Sequence, residues 1–162
     1  MRIAFRTAAL VALIFGQGVA HAATVTSNFT ARITIDGECL ITTTNALDFG
    51  NAGVLVSEID EATTFQIQCT NTVPYGIGLS AGTGVGATTL MRRMTSGSAT
   101  VNYQMFSDPS RTVNWGNDFG VDTVSHIGNG SPQTFIVYGR VVPQATPEAG
   151  TYTDTVQITV EY

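Results

Sequence analysis

From residue 24 onward, apolar and polar side chains alternate in short runs cut by turn residues. Val25, Phe29, Ala31, Ile33 and Ile35 fall on one side of an extended segment, with Ser27 the one polar residue among them. Thr24, Thr26, Asn28, Thr30, Arg32 and Thr34 fall on the other. A period of two over residues 24–35 predicts a strand with one face to bury. Asp36-Gly37 marks a turn. Short strands are predicted around residues 39–43 and 47–49.

Residues 62–70 place Phe65, Ile67 and Cys69 on one face, and residues 74–81 do the same with Tyr75, Ile77 and Leu79. Between them, residues 71–74 form a hairpin-sized turn. Residues 82–86 are a glycine-rich loop, and residues 90–94 and 101–106 predict a strand pair across 95–99. Residues 108–130, with the single Trp115, are the least regular part. Residues 133–142 read as a strong strand. Residues 152–162 close the chain with Tyr152, Val156, Ile158, Val160 and Tyr162 on the inner face and Thr155, Gln157, Thr159 and Glu161 outward. No stretch holds a helical period, and no repeat or linker divides the chain. Many short strands without helices argue an all-β sandwich of two sheets in one domain.

The first residues change the picture of where this domain works. Arg2 and Arg6 precede an apolar run over residues 8–15, and small residues then lead to Ala20-His21-Ala22. This is the order of a secretory signal peptide, with cleavage expected after Ala22. The run is shorter than the roughly 20 residues a membrane span needs; the alternative is a buried N-terminal helix. No later segment reads as a membrane anchor. About 140 residues remain, enough for one domain with a substantial core. Both cysteines, Cys39 and Cys69, lie in this part, and in an exported chain a disulfide is the default expectation. Two buried free thiols are the alternative; a metal site built on them is disfavoured by the single remaining histidine, His126.

Charge is sparse and acidic. There is no lysine, and the net charge of −5 becomes more negative still when Arg2 and Arg6 are removed. Nucleic-acid binding needs a basic face that displaces counterions, and none is present. The one basic cluster, Arg92-Arg93, reads as a solvated strand edge. His126 is the only candidate base after the leader and sits in a loop-like context. The glycines of residues 82–86 match a phosphate loop in composition only, because no helix follows them. Asp60-Glu61 and the acids of residues 118–122 lack the spacing of a calcium loop. The chain is therefore expected not to be an enzyme: no catalytic residue, metal, cofactor, small-molecule substrate or nucleic acid is assigned.

The two cleanest alternating segments stand at the two ends of the mature chain. Each must bury its apolar face in its own domain or in a neighbour. Strand donation to a neighbour is one known mode of recognition, and when it runs head to tail it builds a filament. Periodicity alone does not choose between these fates.

Particular stretches do. They are Thr72-Val73-Pro74-Tyr75-Gly76-Ile77-Gly78-Leu79-Ser80-Ala81-Gly82, Arg93-Met94 with Val101-Asn102-Tyr103-Gln104-Met105-Phe106-Ser107-Asp108, and Trp115-Gly116. They continue with Val137-Tyr138-Gly139-Arg140, Pro143-Gln144 and Ala149-Gly150-Thr151-Tyr152-Thr153-Asp154-Thr155-Val156, running on to Tyr162. Together, and in this order, they resemble the spore coat protein U family, which includes subunits of archaic chaperone–usher pili.

The resemblance implies an immunoglobulin-like β-sandwich that lacks its last strand. It implies a hydrophobic groove beside the C-terminal strand, with Tyr152, Val156, Ile158, Val160 and Tyr162 on the acceptor side. A periplasmic chaperone would fill this groove until, at an outer-membrane usher, the N-terminal strand of the next subunit replaces it. The donor residues would be Val25, Ser27, Phe29, Ala31, Ile33 and Ile35. The family's cysteines pair between the first and second strand regions, which fits Cys39 and Cys69. The implied organisation is a signal peptide at 1–22, a donor segment at 23–36 and a pilin domain at 37–162. The chain would then be a structural subunit of a homo-polymer or co-polymer with other pilus subunits, passing through the periplasm to the cell surface and serving adhesion and biofilm formation. The alternative is a secreted spore-coat-like or surface coat protein that completes its own fold. A tip adhesin, which carries an extra binding domain, is disfavoured by the single domain.

Overall fold

The computed structural model describes residues 21–162, and among them there is no helix. Eight strands form: β1 (Cys39–Thr44), β2 (Ile59–Cys69), β3 (Pro74–Leu79), β4 (Arg92–Ser96), β5 (Ala99–Phe106), β6 (Val124–Ile127), β7 (Gln133–Val141) and β8 (Ile158–Glu161). A five-stranded sheet has the order β1-β2-β7-β5-β4, and a three-stranded sheet has the order β6-β3-β8. Every pairing is antiparallel. The result is the all-β, immunoglobulin-like sandwich that the strand spacing and the resemblance imply. The expected signal peptide lies almost wholly outside the described residues.

Alternation builds the core. Phe65, Ile67 and Cys69 of β2, Tyr75, Ile77 and Leu79 of β3, Val101, Tyr103 and Met105 of β5, and Phe135, Val137 and Val141 of β7 all point between the sheets and are buried. Each large side chain moved out of water in this way contributes about 1.5–3 kcal/mol. Cys39 and Cys69 form a disulfide. Their Cα atoms are 4.1 Å apart, just under the usual range for disulfides of about 4.4–6.8 Å. The cause is register. Cys39 sits directly opposite Cys69, while the neighbouring pair, Glu38 and Thr70, carries the backbone hydrogen bond. The cysteines therefore occupy a non-hydrogen-bonded position, where strands approach most closely.

Several expectations need correction. Arg92 is not on a solvated edge: it is fully buried. Residues 47–49 form no strand, although Leu47 and Phe49 pack against the core. The turn at residues 71–74 is not a hairpin, because β2 and β3 belong to different sheets and the chain crosses the sandwich there. The irregular stretch 108–130 contains one strand, β6, which carries the exposed His126. At the C-terminus the ladder is confined to Ile158–Glu161, preceded by one isolated bridge between Thr153 and Thr95.

The compact β unit runs from Ile35 to Tyr162, and residues 21–34 belong to a separate unit. Residues 24–35 form no strand. An extended segment becomes a strand only when a neighbour takes up its backbone N–H and C=O groups. Its apolar side is open to solvent: Val25 is 94% and Phe29 92% exposed.

Candidate functional site

The open side of the sandwich lies between two edges. One is the end of β1 and the loop that follows it; the other is the C-terminal segment. Between them runs a groove of about 750 Å³. Its floor is the core itself, with Phe65, Leu79, Tyr103, Met105 and Val137. One wall is Ile41 and residues 44–49, and the other is residues 151–156 with Ile158. All of it lies within the compact unit.

The first wall is set by a glycine. On the inward face of β7, an added Cβ at Gly139 would come within 2.6 Å of Leu47 Cδ2 and 2.8 Å of Phe49 Cζ. Only a residue without a side chain lets these two reach across the sandwich. Phe49 then meets the Tyr103 ring edge-on at a centroid distance of 6.0 Å, an arrangement that favours aromatic pairs.

The second wall presents an unfinished sheet edge. Among the described residues β8 pairs only with β3, with Leu79 opposite Ile158 and Gly78 opposite Thr159. Ser80 N donates to Gln157 O at 3.0 Å, so residues 157, 159 and 161 turn their backbone groups toward β3. By the alternation of the antiparallel ladder, Ile158 and Val160 turn theirs the other way, to the side where β8 has no neighbour among the described residues. Val156, Ile158 and Val160 meanwhile lay their side chains on the core, as does Tyr152. Thr155, Gln157 and Glu161 are exposed, Thr159 is half-buried, and Tyr162 is mostly exposed. A free backbone edge beside an apolar floor is the template on which another strand pairs.

Among the residues assigned from the sequence, Tyr152, Val156 and Ile158 come together on this wall, Val160 packs on the core beyond it, and Tyr162 does not line the groove. Val25, Ser27, Phe29, Ala31, Ile33 and Ile35 are all exposed. The opposite wall was not assigned as a site. Its signal was the alternation of Leu47 and Phe49, which reads as a strand when it is in fact a pair of side chains entering the core. Asp154, on the second wall, was not assigned as a site either: it lies in a stretch that carries the family resemblance, but periodicity does not show what its carboxylate bonds.

Several charged groups elsewhere have structural partners. Arg140 donates to both carboxylate oxygens of Asp60 at 2.7 Å, and Arg111 lies 3.3 Å from the same carboxylate. The hydrogen bond from Arg140 holds Asp60 below the usual carboxylate range. Asp108 accepts from the backbone of Thr112 and Val113 and is likewise held low, chiefly by Val113. Among the described residues no group of three or more His, Cys, Asp or Glu side chains is placed to hold a metal ion.

A sequence profile of the Spore Coat Protein U domain matches residues 25–159. Protein U of Myxococcus xanthus is 29% identical over 158 residues, a match covering 88% of this chain and 88% of that protein. Among solved structures, the chain resembles one in the CsuC–CsuE chaperone–tip adhesion subunit pre-assembly complex from the archaic chaperone–usher Csu pili of Acinetobacter baumannii. The TM-score is 0.59 at 25% identity, covering 80% of this chain and 40% of that one. The chain thus spans less than half the length of that solved chain.

Proposed function

Since the chain belongs to the Spore Coat Protein U domain family, we propose that it is a structural subunit of a chaperone–usher pilus that polymerises by donating residues 24–35 to the groove of a neighbouring copy. The observation that carries this reading is the pairing of two incomplete features. β8 offers an unpaired backbone edge over an apolar floor, and residues 24–35 offer an alternating apolar strand with no ladder of its own. Each supplies what the other lacks.

In this reading Phe29 and Ile33, two alternations apart, enter separate pockets along the floor. Burying each contributes about 1.5–3 kcal/mol. Backbone pairing with Ile158 and Val160 supplies the rest and sets the register. A periplasmic chaperone occupies the same edge before assembly, and an outer-membrane usher is the place of exchange. Cleavage after Ala22 frees the donor segment, and the product is exposed at the cell surface, where it serves adhesion and biofilm formation. No step of this requires a catalytic group or cofactor.

The rival reading, a secreted coat protein that completes its own fold, has the family's description in its favour. Substituting Phe29→Asp together with Ile33→Asp separates the two. An unpaired carboxylate in an apolar pocket costs several kcal/mol. For a pilus subunit the double variant is exported, forms its disulfide and co-purifies with its chaperone, yet ends fibres instead of extending them. For a self-completed protein it unfolds and disappears from the periplasm. Fibres of normal length from the double variant would sink the donor assignment.

A further inference from the structure

Residues 151–156, the N-terminal part of the second groove wall, have almost no ladder to hold them among the described residues. Their one strand-like contact is the bridge between Thr153 and Thr95, in which each backbone N–H donates to the other residue's carbonyl, at 2.8 and 3.1 Å. The next residue, Asp154, gathers four hydrogen bonds from three parts of the fold. Its Oδ1 accepts from Thr83 N at 2.7 Å, from Thr83 Oγ1 at 2.9 Å and from Thr155 N at 2.8 Å. Its Oδ2 accepts from the Tyr103 hydroxyl at 2.8 Å.

Each of these contacts has a built character. Tyr103 lies on the groove floor and is only 3% exposed. Burial, and then the bond to Asp154, push its phenol well above the usual value, so it remains a donor. Gly82 adopts φ +83°, and a Cβ there would lie 2.6 Å from Asp154 Cγ, so the loop is shaped to admit the carboxylate. The fully buried Arg92 guanidinium is within electrostatic reach of the same carboxylate. Two residues further on, the wall passes through Val156 to the open edge at Ile158 and Val160.

We infer that Asp154 is a positioning residue that latches the groove's C-terminal wall at the spacing an incoming strand requires, a role that rests on the strand-acceptor reading. One carboxylate joins the floor through Tyr103, the loop through Thr83 and the wall through its own backbone. The edge is thereby formed before a strand arrives, and binding does not have to order it. Loss of the latch leaves residues 151–156 with the Thr153 bridge and the packing of Tyr152 and Val156 on the core, so each binding event bears more of the cost of ordering them.

The test uses the full mature chain carrying Phe29→Asp and Ile33→Asp, so that its own arm does not compete. The probe is a synthetic peptide of residues 24–35. Asp154→Asn, Tyr103→Phe and their combination are compared with this parent for peptide association rate and affinity, and for thermal midpoint without peptide. The parent binds. Asp154→Asn weakens binding roughly tenfold, equivalent to about 1.4 kcal/mol, mainly through slower association. Tyr103→Phe gives a smaller loss in the same direction, and the combined variant binds no worse than Asp154→Asn alone, because both act through one bond. Lowered thermal midpoints with unchanged peptide association would reduce Asp154 to ordinary stabilisation and overturn the inference. A parent that fails to bind the peptide would overturn the strand-acceptor reading itself, and the latch with it.

Discussion

Arg92 donates from Nη2 to the carbonyl oxygen of Trp115 at 2.8 Å, deep between the sheets. The same nitrogen donates to Leu79 O, Nε donates to Ser80 O and Nη1 to Thr89 O, each at 2.8 Å. Trp115 in turn donates from its indole Nε1 to Ile77 O at 2.8 Å. Arg92 stands on β4 of the larger sheet, while Ile77 and Leu79 stand on β3 of the smaller. A guanidinium with a fixed fork of donors thus ties the sheets together by closing the backbone carbonyls of Leu79, Ser80, Thr89 and Trp115. Burial lowers the pKa of Arg92 from its ordinary value, yet an arginine starts so high that it stays charged.

Replacing Arg92 is therefore expected to be among the costliest single changes. Arg92→Leu leaves the four carbonyls unpaired and should lower unfolding stability by about 3–5 kcal/mol. Arg92→Lys should recover less than half of this, because an ammonium is a point charge without the planar fork. Urea unfolding of the oxidised protein measures both. A cost below about 1 kcal/mol for Arg92→Leu would contradict the assignment.

The disulfide makes a second contribution. Cys39 and Cys69 are 30 residues apart in sequence, and closing a loop of that size is worth about 3–4 kcal/mol in the chain-entropy account. Cys39→Ser with Cys69→Ser should lower stability by that amount. The bond joins the start of β1, which follows directly on the donor segment, to the end of β2. Fraying should therefore begin at β1, seen as loss of amide protection there before the rest of the larger sheet.

Acid sensitivity has a local source in Asp60. Its folded-state pKa lies below the ordinary 3.8, first through the hydrogen bond from Arg140. A lowered carboxylate contributes stability that is fully present above the unfolded pKa and lost as pH falls through the folded one. Because the pair is partly exposed, its worth is at most about 1 kcal/mol. Asp60→Asn should lower the thermal midpoint at pH 6, and the difference from the parent should shrink below about pH 4. A difference that stays constant down to pH 2 would show that the carboxylate's charge is not its source.

Much of this fold was legible because a half-buried strand writes its inward face as every second residue. Phe65, Ile67 and Cys69, and likewise Tyr75, Ile77 and Leu79, follow that rule and are buried as it requires. Where one side chain acts at a distance the rule is blind. Arg92 looks like a surface cation because periodicity registers its polarity and not the reach that brings it to four carbonyls. β6 escaped notice because four residues between turns carry too little alternation to stand out. The partnering of β2 with β7, and of β3 with β8, is set by the crossing at residues 71–74, whose length equally suits a hairpin. The groove was half legible: Tyr152, Val156 and Ile158 share one side of the alternating terminal segment, whereas Leu47 and Phe49 owe their position to a glycine some ninety residues away.

Amide-resolved hydrogen exchange reads, residue by residue, whether a strand adds to the free edge of β8. In the unassembled subunit the N–H groups of Ile158 and Val160 face away from β3 and should exchange quickly, while that of Thr159, turned toward Gly78, should be protected. In assembled fibres Ile158 and Val160 should become protected together with alternate amides of residues 24–35. If the two amides exchange as fast in the fibre as in the free subunit, no strand has been added at this edge, and β8 is not the acceptor.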